Sequence, residues 1–127
     1  MKKIRVALLG LGERGQTFAE NFLEQIQLHR APIEIVAVAD HHTDSPVALG
    51  FAQNRVPVFH DALEVATLGD KVDIIFDLTG NSRTRQELRL KLLETRNSHT
   101  IIATEMIVDL LWCFFDEPMQ FKAAVGY

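Results

Sequence analysis

Six residues near the amino terminus, Gly10-Leu11-Gly12-Glu13-Arg14-Gly15, have the spacing of a turn that holds a diphosphate. The chemistry is that of backbone more than of side chains. A glycine at the first position permits a tight turn, one at the second leaves room for a pyrophosphate, and one at the third lets a helix pack close to the preceding strand. A helix beginning there offers free N–H groups and the positive end of its dipole to the anion. Such a motif alone is a weak signal, since glycines also mark ordinary turns. Its weight comes from context, with an apolar run before it and a helical pattern after it. Arg14 is the cation best placed for a phosphate, the plainer alternative being a side chain in solvent.

Asp40 is the second chemistry-bearing residue. It follows Gly15 at a separation close to the roughly 20 residues at which such domains carry a carboxylate for ribose hydroxyls. Alone it would read as a turn residue; with the glycines it reads as a binding group. An ionised Asp40 would repel a ribose phosphate, so NAD is expected over NADP. His41 and His42 temper that preference, because a protonated imidazole offsets the charge.

The elements that must position these groups alternate. Residues 4–9 form a short apolar run bounded by charge and glycine, the pattern of a buried strand. Gly15, Phe18, Ala19, Phe22, Leu23 and Ile26 then recur at helical spacing, and that helix must end before Pro32. Residues 33–39 form a second strand. Ser45 caps a short helix over 46–53, with Pro46 in its first turn. A third strand is expected over 56–59, and Asp61 caps a brief helix through Leu68. A fourth strand covers 72–78 and ends in Thr79-Gly80-Asn81. Thr84 and Glu87 have capping-box spacing and open a helix to about Thr95. A fifth strand covers 100–103, and a last helix covers 105–115. Pro118 marks a break, and the tail 117–127 carries no assigned element. Strands joined by helices imply parallel pairing and right-handed crossovers. The expected fold is a single α/β domain over 1–127, a doubly wound, Rossmann-like parallel sheet in the order 3-2-1-4-5.

Other residues carry less. With 127 residues the chain has room for one core. A net charge of −4 argues against a nucleic-acid surface. The single cysteine, Cys113, excludes an internal disulfide and offers no zinc pattern, which fits a reducing, cytoplasmic setting. No apolar stretch reaches the roughly 20 residues of a membrane span. The five histidines suggest no metal site, since His41 and His42 are neighbours that point opposite ways on an extended chain. His60-Asp61 reads as a helix cap before it reads as a catalytic pair. Arg83, Arg85, Arg89, Lys91 and Arg96 read as a solvated helix face, with Arg83 or Arg85 near a ligand phosphate as the sharper alternative.

The pieces 4–12, 35–40 and 72–79 together resemble the amino-terminal domain of the glucose–fructose oxidoreductase and inositol dehydrogenase family. Homoserine dehydrogenase-like and dihydrodipicolinate reductase-like domains share much of the pattern. The resemblance spans residues 3 to about 105. It implies that Thr79, Gly80 and Asn81 lie near the nicotinamide half of a dinucleotide, with Glu105 following the fifth strand. The family usually has Glu-Lys-Pro at that point, but this chain reads Glu105-Met106-Ile107, so the family's catalytic lysine is absent. The histidine expected early in the helix after the fourth strand is also missing. Family enzymes carry their substrate site on a second domain, which is not found within these 127 residues.

From Met106 to Phe115 every residue except Asp109 is apolar. One sheet face cannot cover such a helix, so a homodimer or a following domain is expected to bury it. Three functions remain open: an NAD(H)-binding domain that senses or regulates, or serves a longer chain; a dehydrogenase whose substrate domain lies elsewhere; and a binding domain for another nucleotide or coenzyme A. Asp40 favours a free ribose hydroxyl and so disfavours the last.

Overall fold

The computed structural model describes residues 2–115, leaving aside the side chain of Glu105. The expected tail 117–127 therefore lies outside the described residues. Strand β1 (Ile4–Leu9) leads into α1 (Glu13–Gln27), then β2 (Ile33–Ala39), α2 (Pro46–Gln53) and β3 (Val58–Phe59). A 3-10 helix (Ala62–Lys71) precedes β4 (Ile74–Asp77), α3 (Ser82–Glu94), β5 (Ile101–Ala103) and α4 (Glu105–Trp112). The five strands are parallel and lie in the order β3-β2-β1-β4-β5. This is the doubly wound, Rossmann-like sheet that the alternation implies.

The apolar run of β1 is buried on both faces. Val6 and Leu8 pack toward α1, α2 and α4, whereas Ala7 and Leu9 pack toward the 3-10 helix and α3. The β1–β2 register shifts between Val6 and Ala7, whose partners are Ile35 and Ala37. Val36 is therefore the extra residue of a bulge on β2, and alternation resumes beyond it. Helix α1 turns Gly15, Phe18, Ala19 and Phe22 inward, as their spacing predicts. Phe18 is fully buried and collects aromatic neighbours, its ring centroid lying 6.3 Å from Phe76, 5.7 Å from Trp112 and 4.6 Å from Phe115.

Several boundaries differ from the sequence reading. Strands β3, β4 and β5 are shorter than expected, although Asp73 and Leu78, which flank β4, still donate to the Arg5 and Leu9 carbonyls of β1. The stretch after Asp61 is 3-10 in character and runs on to Lys71 across a kink at Gly69 (φ 61°). Asp61 does cap it, accepting from the Leu63 N–H at 2.9 Å. Helix α3 begins two residues before Thr84. Its cap is Asn81, whose side-chain oxygen accepts from the Arg83 N–H at 2.9 Å, and Glu87 pairs with Arg83 instead of closing a capping box. Helix α4 ends at Trp112, not Phe115.

Helix α4 is not covered all round. Val108 is buried, and Leu111, Trp112 and Phe115 pack against the α1 side of the core. Met106, Ile107, Leu110 and Phe114 stand exposed. No helix among the described residues is long and apolar enough to cross a membrane.

The amino-terminal ends of three strands meet at one carboxylate. Asp73 accepts from the Arg5 backbone N–H at 2.8 Å and from the Arg5 guanidinium at 2.9 and 3.2 Å. His99 Nε2 lies 2.6 Å from the same carboxylate, and the Ile101 N–H donates to the Asp73 carbonyl at 2.9 Å. Hydrogen bonds from the Arg5 side chain, then its backbone N–H, then His99, hold the Asp73 carboxyl well below the usual carboxylate range. A carboxyl more acidic in the folded than in the unfolded chain stabilises the fold above its ordinary value of 3.8, and that contribution fades as pH falls below it. Asp73→Asn is expected to lower the melting temperature at neutral pH, and the gap from the parent chain should narrow below about pH 4. Melting curves from pH 7 to pH 2 check this; a gap of constant size would mean that the ion pair contributes nothing.

Candidate functional site

The glycine turn lies where β1 meets α1, between the outward crossovers to β2 and to β4. Such a reversal of strand order opens a crevice at the carboxyl ends of the strands. Each glycine has its own reason. Gly10 has φ +91°, a left-handed conformation that side chains rarely adopt, and an added Cβ would also sit 3.2 Å from the Leu78 carbonyl. A side chain at Gly15 would collide with the carbonyl oxygen of Gly10. An added Cβ at Gly12 meets nothing within 4 Å, because this glycine faces the open cleft. Gly12 is also the N-cap of α1, and no side chain caps that helix. The orphan N–H groups of the first turn are thus left for solvent or ligand.

Asp40 stands at the end of β2, largely shielded, with its side chain 16% exposed. Its Oδ1 accepts from the Leu11 N–H at 2.9 Å and its Oδ2 from the His42 N–H at 3.0 Å. The carboxylate therefore bridges the glycine turn and the loop after β2. The Leu11 side chain is buried in the core, so only its backbone takes part in this site. Glu13 is exposed at the start of α1.

A cleft of about 290 Å³ runs from Gly10, Gly12 and Asp40 to Thr79 and Asn81. Its far wall holds His41 and His60, whose rings meet edge to face with centroids 5.7 Å apart. His41 was expected here; His60 was not, because its neighbour Asp61 already had a structural role. The cue available in the sequence was position, since His60 directly follows β3 at the same carboxyl end of the sheet. A groove of about 360 Å³ lies elsewhere, between α1 and α2, with mostly aliphatic walls such as Leu23, Ile26 and Val47. It reaches Lys3 and Ile33 at the amino-terminal ends of β1 and β2, away from the carboxyl ends, and the smaller, more polar cleft is the chemically equipped one.

The loop after β4 is built on Asp77. This buried carboxylate accepts at Oδ1 from the Thr79 N–H at 3.1 Å and the Thr79 hydroxyl at 2.6 Å. The Asn81 N–H then donates to the Thr79 hydroxyl oxygen at 3.2 Å, and Gly80 takes φ +69° between them. On its other side, Asp77 Oδ2 faces Arg85 Nε at 3.7 Å. Arg85 is thus no part of a solvated helix face, its side chain being only 20% exposed. The spacing of Arg85, Leu88 and Leu92 already puts all three on one helix stripe. Arg83 does lie in solvent.

Arg14 departs from expectation too. Its guanidinium pairs with Asp109 and lies 5.3 Å from the Trp112 ring centroid, on α4 and not in the cleft. Glu105 opens α4, directly after β5. Among the described residues no cluster of three potential metal ligands occurs.

No protein-family model matches the sequence, and no curated protein matches it significantly. Solved structures do match the fold. Homoserine dehydrogenase from S. aureus superposes with a TM-score of 0.61 at 24% identity, over 82% of this chain and 26% of that one. Homoserine dehydrogenase from Thiobacillus denitrificans gives 0.56 at 23% identity, over 89% and 26%. Myo-inositol 2-dehydrogenase from Lactobacillus plantarum gives 0.53 at 15% identity, over 98% and 41%. The chain spans about a quarter of the length of the homoserine dehydrogenases it matches. What it shares with these dehydrogenases is the Rossmann-like fold.

Proposed function

We propose that this chain is an NAD(H)-binding domain, acting as a sensing or regulatory module or as the cofactor domain of a longer protein. The observation that carries the reading is the carboxylate of Asp40, fixed beside an uncapped helix start and an unobstructed Gly12. Each Asp40 oxygen accepts one backbone N–H and keeps a second lone pair for a ribose hydroxyl. The diphosphate would lie over Gly12 against the first turn of α1. The adenine would lie by His41 and His60, and the nicotinamide half by Thr79, Gly80 and Asn81. The resemblance of fold to homoserine and myo-inositol dehydrogenases supports a nicotinamide dinucleotide over other nucleotides or coenzyme A.

The second reading is a dehydrogenase completed by a substrate domain. It draws on the same neighbours, of which this chain spans only a part. Fold alone does not establish an activity. Met106 stands where the resembled family has its lysine, so this chain by itself is expected to give no sustained NADH formation with polyols, sugars or amino acids. The exposed face of α4 is where a second copy or a following domain would sit. Light scattering is expected to show a dimer that Phe114→Glu or Leu110→Glu disrupts; a monomer at high concentration would reject self-association.

Calorimetry with NAD, NADH, NADP and NADPH tests the main reading. Binding of NAD(H) ahead of NADP(H) is the expected result, and equal or tighter NADPH binding would reject the preference. Gly12→Val is expected to abolish binding while leaving the melting temperature within a few degrees, because the new side chain fills the cleft and not the core.

A further inference from the structure

Arg14 belongs to the glycine turn in sequence, yet α4 holds its guanidinium. Asp109 pairs with it, and Trp112, three residues on and hence on the same helix face, lies beneath it. Trp112 and Phe115 in turn pack on Phe18 of α1. The Arg14 side chain starts in the first turn of α1, two residues after Gly12, which faces the cleft. Side chains on a helix lean toward its amino terminus, the end at which an anion binds. The ion pair is open to solvent, with Arg14 43% and Asp109 65% exposed, so the guanidinium is free to exchange partners.

We propose that Arg14 is shared between Asp109 and the diphosphate of the ligand, and that Asp109 is a positioning residue which sets the share. This rests on the reading of the glycine turn as a diphosphate site. One guanidinium cannot serve the Asp109 carboxylate and a diphosphate at full strength together. Ligand binding therefore loosens the hold of α1 on α4, and anything that tightens the Arg14–Asp109 pair weakens the ligand by the same factor. The helix so released is the one whose other face exposes Met106, Ile107, Leu110 and Phe114.

The test is calorimetric titration with NAD and, separately, with inorganic pyrophosphate, on the parent chain, Asp109→Asn, Arg14→Gln and the double variant. Asp109→Asn is expected to tighten both ligands about two- to fivefold, the scale of an exposed ion pair. Arg14→Gln is expected to weaken them, and Asp109→Asn on that background is expected to change nothing. Trp112 is the only tryptophan, so its emission reports the guanidinium directly. Pyrophosphate should shift the emission of the parent chain toward that of Arg14→Gln. Equal affinity in Asp109→Asn and the parent, or the same Asp109 effect without Arg14, overturns the proposal and leaves NAD binding standing. Pyrophosphate binding that responds as described, with NAD failing to bind, overturns the dinucleotide reading alone. No binding of either probe overturns both.

Discussion

The close approach of Gly15 to the Gly10 carbonyl is the constraint on which the most structure hangs. Gly15 in the first turn of α1 lies so near the Gly10 carbonyl that any side chain there would overlap it. That approach lets α1 start directly over β1, with its uncapped N–H groups at the rim of the cleft. It also carries Phe18 and Phe22 down to the sheet, where Phe18 is fully buried against Phe76. Burying such a ring is worth about 1.5–3 kcal/mol. Phe18 then becomes the floor on which Trp112 and Phe115 rest. The geometry of the glycine turn and the packing of the last helix thus descend from one absent side chain.

The legible part of the fold was what periodicity and steric necessity encode. The bounds of β1, β2 and α2 follow from apolar runs, a glycine turn and the Ser45-Pro46 start, and the strand order follows from alternation with right-handed crossovers. The cleft residues Gly10, Gly12, Asp40, His41, Thr79 and Asn81 do converge, because all sit at the carboxyl ends of parallel strands. What the sequence concealed was the choice among partners for polar groups. Asn81 captured the cap of α3 because its short side chain reaches the Arg83 N–H. Arg14 went to Asp109, about 95 positions away, a pairing that only the tertiary fold creates. Arg85 lay on an apolar stripe, a local cue to burial outweighed by the charges around it in the sequence.

Charge inside this domain is placed where it shapes backbone. Asp73 ties the amino-terminal ends of β1, β4 and β5, whereas Asp77 and Asp40 shape the loops at the opposite end. Shielding a carboxylate from water is costly unless it is paired or hydrogen-bonded, and the buried Asp77 and the half-buried Asp40 and Asp73 each have N–H donors. The sheet is thus trimmed at both rims by aspartates, while its middle is apolar on both faces.

Asp40 joins the two themes. Its carboxylate accepts from the Leu11 N–H and from the His42 N–H, which fix its orientation as well as the backbone on either side. By holding the Leu11 N–H it fixes the glycine turn from the side, as Gly15 fixes it from below. The group that would select a ribose hydroxyl is therefore also part of the frame on which the diphosphate would rest. Under the proposed reading, removing its charge would act on both halves of the ligand at once, since the Leu11 N–H would lose its acceptor along with the ribose contact. On the proposed reading, selectivity for the ribose and preorganisation of the turn would be one property of this carboxylate, not two.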